Sequence, residues 1–315
     1  MDIKIARTSN GANAAYSLTF DDGCYYDSTL KTIEIFEDVY KKTGIKIKAT
    51  SLQTVHFLHE RLIALWKEAI AKGYYDITSH SMDHAFAYND SISYERRYND
   101  AKESKEELEK IYNVPVITYG NPGGVNTKDG CEVLGNFYYA NRSNAEYTND
   151  IDNLDYLYLG SYIALLEHKT VKPFADFIDS VIKNNGYAIQ VNHWLTERDD
   201  DKFHCQRTDV FHDECIHLAN LHKEGKIWLA SFNDAVKYFL ERDKTTLNIS
   251  EVNGEYVVEN VCPLPSNIFD MPLTLVVSSE DKAITVKSDG ITNIYEPVNS
   301  EVLIKVKPNS TIIIK

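Results

Sequence analysis

Between residue 14 and about residue 242, short runs of β-branched, aromatic and aliphatic residues alternate with longer stretches of helical periodicity. Repeated β-α units produce that pattern, and such units build a parallel sheet covered by helices. The pattern predicts strands over 15–20, 75–79, 116–119, 137–140, 157–160, 188–193 and 227–231. It predicts helices between them. Asp27-Ser28 opens one that stops at Gly44, another covers 61–72, Ser91 opens a third that ends at Tyr112 before Pro115, and a fourth covers 209–225. Seven or so units in about 230 residues fit a closed β/α barrel better than a small open sheet. In such barrels the chemistry gathers at the C-terminal ends of the strands.

After Arg242 the texture changes to short alternating apolar and polar runs separated by turn pairs such as Asn253-Gly254, Asp289-Gly290 and Pro308-Asn309. Residues 244–315 are therefore expected to form a small antiparallel, sandwich-like β domain, and residues 1–243 the barrel. The β segment contains no histidine and no carboxylate cluster, so no chemistry is assigned to it.

Three strand ends carry unusual residues. Thr19-Phe20-Asp21-Asp22-Gly23 puts two adjacent carboxylates after an apolar strand. Within a strand they would point to opposite faces, but a turn at Gly23 lets both reach one pocket. Asp-Asp-Gly is equally a good plain turn. His80-Ser81-Met82-Asp83-His84 follows a second strand; histidines four apart lie on one face of a helical turn and can share a metal. Taken alone, such a pair is more often two surface histidines. If the strands ending at Phe20 and Ser79 are near neighbours, Asp22, His80 and His84 make a site of two histidines and one carboxylate, with positions open to water and substrate. Gln190-Val191-Asn192-His193-Trp194 closes a third run, and a histidine at a strand end beside a metal is placed to act as a general acid. The bland reading of His193 is a buried structural histidine.

At these residues the sequence resembles the polysaccharide deacetylase family, carbohydrate esterase family 4, also called the NodB-homology domain. The motifs T-F-D-D-G and H-[S/T]-x-x-H occur in the family's order over roughly residues 14–242. The resemblance implies an irregular β/α barrel and removal of an N- or O-acetyl group from a carbohydrate. It implies that Asp22, His80 and His84 bind a divalent metal, zinc by default, with cobalt, nickel or manganese as alternatives. It further implies that Asp21 is the base acting on a metal-bound water, that His193 protonates the leaving group, and that a backbone N–H after a proline stabilises the oxyanion. Here that loop reads Tyr119-Gly120-Asn121-Pro122-Gly123-Gly124, with Gly123 offering the N–H and Gly120 standing where the family has an arginine. Arg142, shortly after the next strand, is the candidate to supply the guanidinium from another direction. The family's tryptophan-containing motif is not recognisable in Asp152-Asn153-Leu154-Asp155-Tyr156.

Of the 315 residues, 47 are acidic and 33 basic, a formal net charge of −14, and no Lys/Arg-rich run interrupts the excess. Nucleic acid and anionic membrane surfaces are poor partners for such a chain; an acetylated oligo- or polysaccharide is the expected one. No window approaches the roughly 18 consecutive apolar residues that span a bilayer. The start, Met1 to Arg7, lacks the apolar stretch of a secretory signal. The expected location is the cytoplasm, or the cell envelope or exterior if a signal has been removed. Five scattered cysteines read mostly as free thiols. The segment His204-Cys205, His212, Cys215, His217, His222 resembles a zinc site only loosely, and His56 and His59 read as surface residues. Without a G-x-S-x-G elbow a serine hydrolase is not expected. Two alternatives remain: a hydrolase of a non-sugar amide on the same fold, and a carbohydrate-binding protein with degenerate catalytic motifs.

Overall fold

In the computed structural model, which describes residues 1–165, 167–198, 205–280 and 282–315, the chain divides into two compact units: residues 14–236, and residues 1–13 together with 237–315. The larger is a closed barrel of seven parallel strands. These are β1 (Ala15–Phe20), β2 (Ala49–Gln53), β3 (Tyr75–Ser79), β4 (Thr118–Gly120), β5 (Ala140–Glu146), β6 (Leu159–Ile163) and β7 (Gly186–Asn192). Each pairs with the next, and β7 returns to β1 along its length, from Tyr187 opposite Ala15 to Asn192 opposite Phe20. That last pairing removes the sheet's edges.

Along β1 the outward residues Tyr16, Leu18 and Phe20 enter the core under the helices, where Phe20 meets Tyr75 and Phe211 edge to face with centroids 5.8 and 5.7 Å apart. Ser17 and Thr19 alternate with them and are fully buried on the other face of the strand. Helices Tyr26–Thr43 and Tyr94–Tyr112 end as predicted, on residues in the left-handed region: Gly44 at φ 78° and Asn113 at φ 55°. Ser93, rather than Ser91, caps the second, its hydroxyl accepting from the Arg96 N–H.

Seven barrel strands are predicted and seven are found, but they are not the same set. Strand β2 went unpredicted because Ala-Thr-Ser-Leu-Gln holds one large aliphatic residue; all five are buried, and the polar ones find partners inside. The Thr50 hydroxyl accepts from the Phe232 N–H, and the Tyr112 hydroxyl donates to Gln53 Oε1. The run at 227–231 contributes only Trp228–Leu229, which pairs with Ala15 and Tyr16 on the edge of β1 away from β7, before β2 joins that edge at Thr19 and Phe20. The aromatic run at 137–140 follows a short 3-10 turn, Glu132–Asn136, and the strand begins only at Ala140.

The second unit is all β apart from its share of helix Phe232–Lys244. One sheet has five strands in the order Thr246–Val252, Glu255–Val261, Thr311–Ile314, Ile284–Ser288, Ile291–Tyr295. The other joins Ile3–Ile5, Leu273–Ser278 and Glu301–Val306. Asn253-Gly254 and Asp289-Gly290 turn two of the hairpins with both residues at positive φ, the geometry that tight hairpins require. The Ile3–Ile5 pairing groups residues 1–13 with these strands, and the grouping changes between residues 236 and 237. Among the described residues, no helix is long and apolar enough to cross a membrane.

Candidate active site

The chemistry begins where β1 ends. Asp21 keeps the strand's hydrogen bonding, its N–H donating to the Asn192 carbonyl at 2.8 Å, and its side chain enters the barrel mouth. Asp22 then turns back: its φ is 70°, and the Gly23 N–H donates to the Asp21 carbonyl at 2.9 Å. A two-residue hydrogen bond around a left-handed centre is a strained γ-turn. It defeats the strand's alternation and lets adjacent carboxylates serve one cavity. Gly23 completes the turn at φ 70°, where an added Cβ would come within 3.1 Å of the Gln53 side chain.

The histidines converge by similar means. Residues 80–84 form no helical turn, contrary to the spacing argument; Ser81 and His84 adopt left-handed φ of 75° and 58°, and the ring centroids lie 5.0 Å apart. Asp22 Oδ1 stands 3.8 Å from His80 Nε2 and 3.5 Å from His84 Nε2. These are the separations of ligands that share an ion at bond lengths of about 2.0–2.2 Å. Two further observations fit a metal. Asp22 Oδ1 is buried with no hydrogen-bond partner, while Oδ2 accepts from the Tyr25 hydroxyl at 2.9 Å. His80 Nδ1 lies 2.7 Å from the Gly120 carbonyl, which fixes the proton there and leaves the Nε2 lone pair for a ligand. Burial pushes the His80 pKa down to about 4, although Asp21 and Asp22 act the other way, so the ring is neutral. Among the described residues this is the single cluster of three or more such groups able to hold an ion.

Asp21 stands beside that cluster, 3.6 Å from His80 Nε2. Arg142, inside β5 rather than after a strand, grips it with two parallel bonds: Nη1 to Oδ1 at 2.9 Å and Nη2 to Oδ2 at 2.8 Å. Both side chains are buried. Burial would raise the Asp21 pKa, but the guanidinium, with His80 and His193 beside it, holds it below the usual carboxylate value. Gly120 explains the arrangement. A Cβ there would lie 2.0 Å from Leu52 Cδ2 and 3.4 Å from Arg142 Nε, so Leu52 and Arg142 fill the space that a side chain at 120 would need.

Asp21, His80, His84, Gly123 and His193 all line one cavity of about 420 Å³, with Asn121, Asn144, Ser161, Ile163 and Val191. Sequence reasoning missed Asn144. It lies two residues after Arg142 on the same strand, in a stretch where the pairing with β6 shifts register. Its Nδ2 donates to the carbonyls of Pro122 and Gly124 at 3.1 and 3.3 Å, holding the loop that presents Gly123. The loosely zinc-like segment does not assemble among the described residues; His204 lies outside them. The His212 ring sits 2.8 Å from Asp38, and His222 Nδ1 accepts from the Leu229 N–H at 3.0 Å. His56 and His59 are exposed, as expected.

Residues 9–141 match the family model for polysaccharide deacetylase. No curated protein sequence matches the chain. Among solved structures, a protein of Mycobacterium smegmatis assigned as a polysaccharide deacetylase is 12% identical with a TM-score of 0.54, over 79% of this chain and 98% of that one. A family 4 acetyl xylan esterase from Clostridium thermocellum, in complex with a cobalt ion, is 15% identical with a TM-score of 0.48, over 70% and 89%. A CE4 family pseudoenzyme from Bacillus anthracis is 11% identical with a TM-score of 0.45, over 71% and 65%. The family resemblance is borne out by the match over residues 9–141, and the irregular β/α barrel by the Mycobacterium smegmatis structure.

Proposed function

Starting from the polysaccharide deacetylase family, we propose that this chain is a metal-dependent hydrolase that removes N- or O-linked acetyl groups from a carbohydrate. One observation carries the reading. The turn after β1 gives an unpartnered Asp22 Oδ1 to the two histidines while a bidentate arginine holds Asp21, its neighbour, ionised in the same cavity. Asp22, His80 and His84 would hold the ion, with zinc suited to this nitrogen and oxygen donor set and cobalt, nickel or manganese as alternatives. Such an ion, when bound, polarises the acyl carbonyl and lowers the pKa of water.

The chain's own residues divide the remaining work. Asp21 accepts the proton of the attacking water; Arg142 occupies one lone pair on each of its oxygens and leaves others free. The Gly123 N–H donates to the oxygen that gains charge as water adds to the acyl carbon, and Asn144 keeps that donor in place. His193 gives a proton to the departing nitrogen or oxygen as its bond to the acyl carbon breaks. Free acid and free amine or alcohol result. The Arg142 grip on Asp21 favours hydrolysis over a binding protein with degenerate motifs, because a retired base has no need of a buried partner that keeps it ionised.

Acetate release from acetylated chito- and xylo-oligosaccharides, measured with and without chelator, tests the reading. Chelator-sensitive release restored by zinc is expected. Absence of such release from every sugar would sink it.

A further inference from the structure

The walls of the catalytic cavity differ in chemistry. The ends of β4 and β5 contribute Asn121, Asn144 and the backbone of Gly123 and Gly124, whereas β6 and β7 contribute the apolar Ile163 and Val191 beside Ser161 and His193. Ile163 and Ser161 also wall a second cavity of about 490 Å³. Its other walls are Tyr147, Tyr162, Leu165 and Phe177, with Glu146, Thr148 and His168 as further polar residues. Phe177 stacks on Tyr162 with centroids 4.0 Å apart and planes 17° from parallel, and Phe174 meets Tyr162 edge to face at 6.3 Å. The hydrolytic steps above use none of these aromatic residues.

We propose that this second cavity receives the far end of an acyl chain longer than acetyl, so that the substrate class is a sugar bearing a butyryl-to-octanoyl ester or amide. The inference rests on the hydrolytic reading. With the carbonyl oxygen at Gly123 and the leaving group at His193, the wall left for the acyl carbons is Val191 and Ile163. A methyl group ends there. A longer chain passes Ile163 and buries its methylenes against Tyr162, Leu165 and Phe177, while the bonds made and broken at the carbonyl stay the same. Each buried methylene favours the longer substrate by about three- to fourfold.

The test uses the full chain reconstituted with zinc and the 4-nitrophenyl esters of acetate, butyrate, hexanoate and octanoate, counting only chelator-sensitive hydrolysis. The expected kcat/KM rises from acetate to hexanoate by about threefold or more per methylene. Leu165→Trp, which fills the second cavity, is expected to bring the hexanoate-to-acetate ratio down to one or below, and Leu165→Phe to an intermediate value. The ratio is internal to each variant, so a partly unfolded preparation does not disturb it. A flat or falling profile in the unaltered chain overturns the inference. So does a kcat/KM for N-acetylated sugars that grows with oligosaccharide length and loses that growth in Leu165→Trp, since the cavity would then hold a sugar ring. Chelator-sensitive acetate hydrolysis with no gain from length leaves the proposed function standing; no chelator-sensitive hydrolysis of any ester overturns the inference, and removes the proposed function as well only if no acetylated sugar releases acetate either.

Discussion

At the scale of single residues the site depends on backbone conformations that side chains seldom adopt. Asp22, Ser81 and His84 all have positive φ, and each such residue costs of order 1–3 kcal/mol unless its surroundings enforce it. Here the Gly23 hydrogen bond, the Tyr25 hydroxyl and the Ser81 hydroxyl, which accepts from the His84 N–H at 2.8 Å, do the enforcing. The Asp21–Arg142 pair is the other costly element, two charges taken out of water and repaid by two short bonds. Arg142→Ala leaves Asp21 buried and unpaired. We expect a loss of about 3–5 kcal/mol in denaturant unfolding, together with a fall in turnover of at least tenfold. Near-normal turnover in a folded Arg142→Ala protein would remove Arg142 from the reaction.

At the scale of elements, strands that carry aromatic residues beside an aliphatic one were legible, and β1, with Tyr16, Leu18 and Phe20, and β3, with Tyr75 and Ile77, have the bounds their periodicity predicts. Strand β2 was not, because buried threonine, serine and glutamine satisfied by hydrogen bonds leave no apolar signature. The site follows the same division. Asp21, Asp22, His80, His84 and His193 were legible as polar residues at strand ends, and the structure brings four of them to one cavity, with Asp22 beside its two histidines. The γ-turn that makes Asp22 converge and the Asn144 support for the Gly123 loop depend on long-range packing that local patterns do not carry. Gly120 tests how the β2 and β4 ends cooperate. Gly120→Ala drives a methyl into Leu52 and shifts the carbonyl that holds His80, so metal affinity should fall by about 10–100-fold in a chelator competition. Unchanged affinity would mean that this carbonyl does not orient the ring.

Helix Thr208–Lys223 carries a second expectation. Burial raises the Glu214 pKa from 4.5 to about 7, against the opposing hydrogen bonds of Gln206 and Gln190. A carboxyl that keeps its proton more tightly when folded makes the folded state most favourable at low pH, and stability declines as pH rises from about 4.5 to about 7, then levels. The decline is worth about 3 kcal/mol by linkage. Glu214→Gln should flatten that part of the stability profile in urea titrations at several pH values. An unchanged slope would assign the dependence to other groups.

At the scale of the whole molecule, the two units carry different amounts of chemistry. Every residue assigned a catalytic or metal-binding role falls within residues 14–236, and residues 1–13 with 237–315 contribute none. The net charge of −14 is for the most part a solvated surface property, yet two of the 47 acidic side chains, Asp21 and Asp22, are the ones on which the account turns. In the proposed function their roles differ although they are neighbours: Asp22 would bind the metal and Asp21 would move the proton. The most direct measurement is therefore on Asp21→Asn in the full chain, with zinc stoichiometry and acetate release determined on the same sample. The proposed division of roles predicts about one bound zinc per chain, the same as expected for the unaltered protein, and turnover lower by about 10²–10⁴-fold. Loss of the metal, or turnover within a few fold of the unaltered protein, would contradict it.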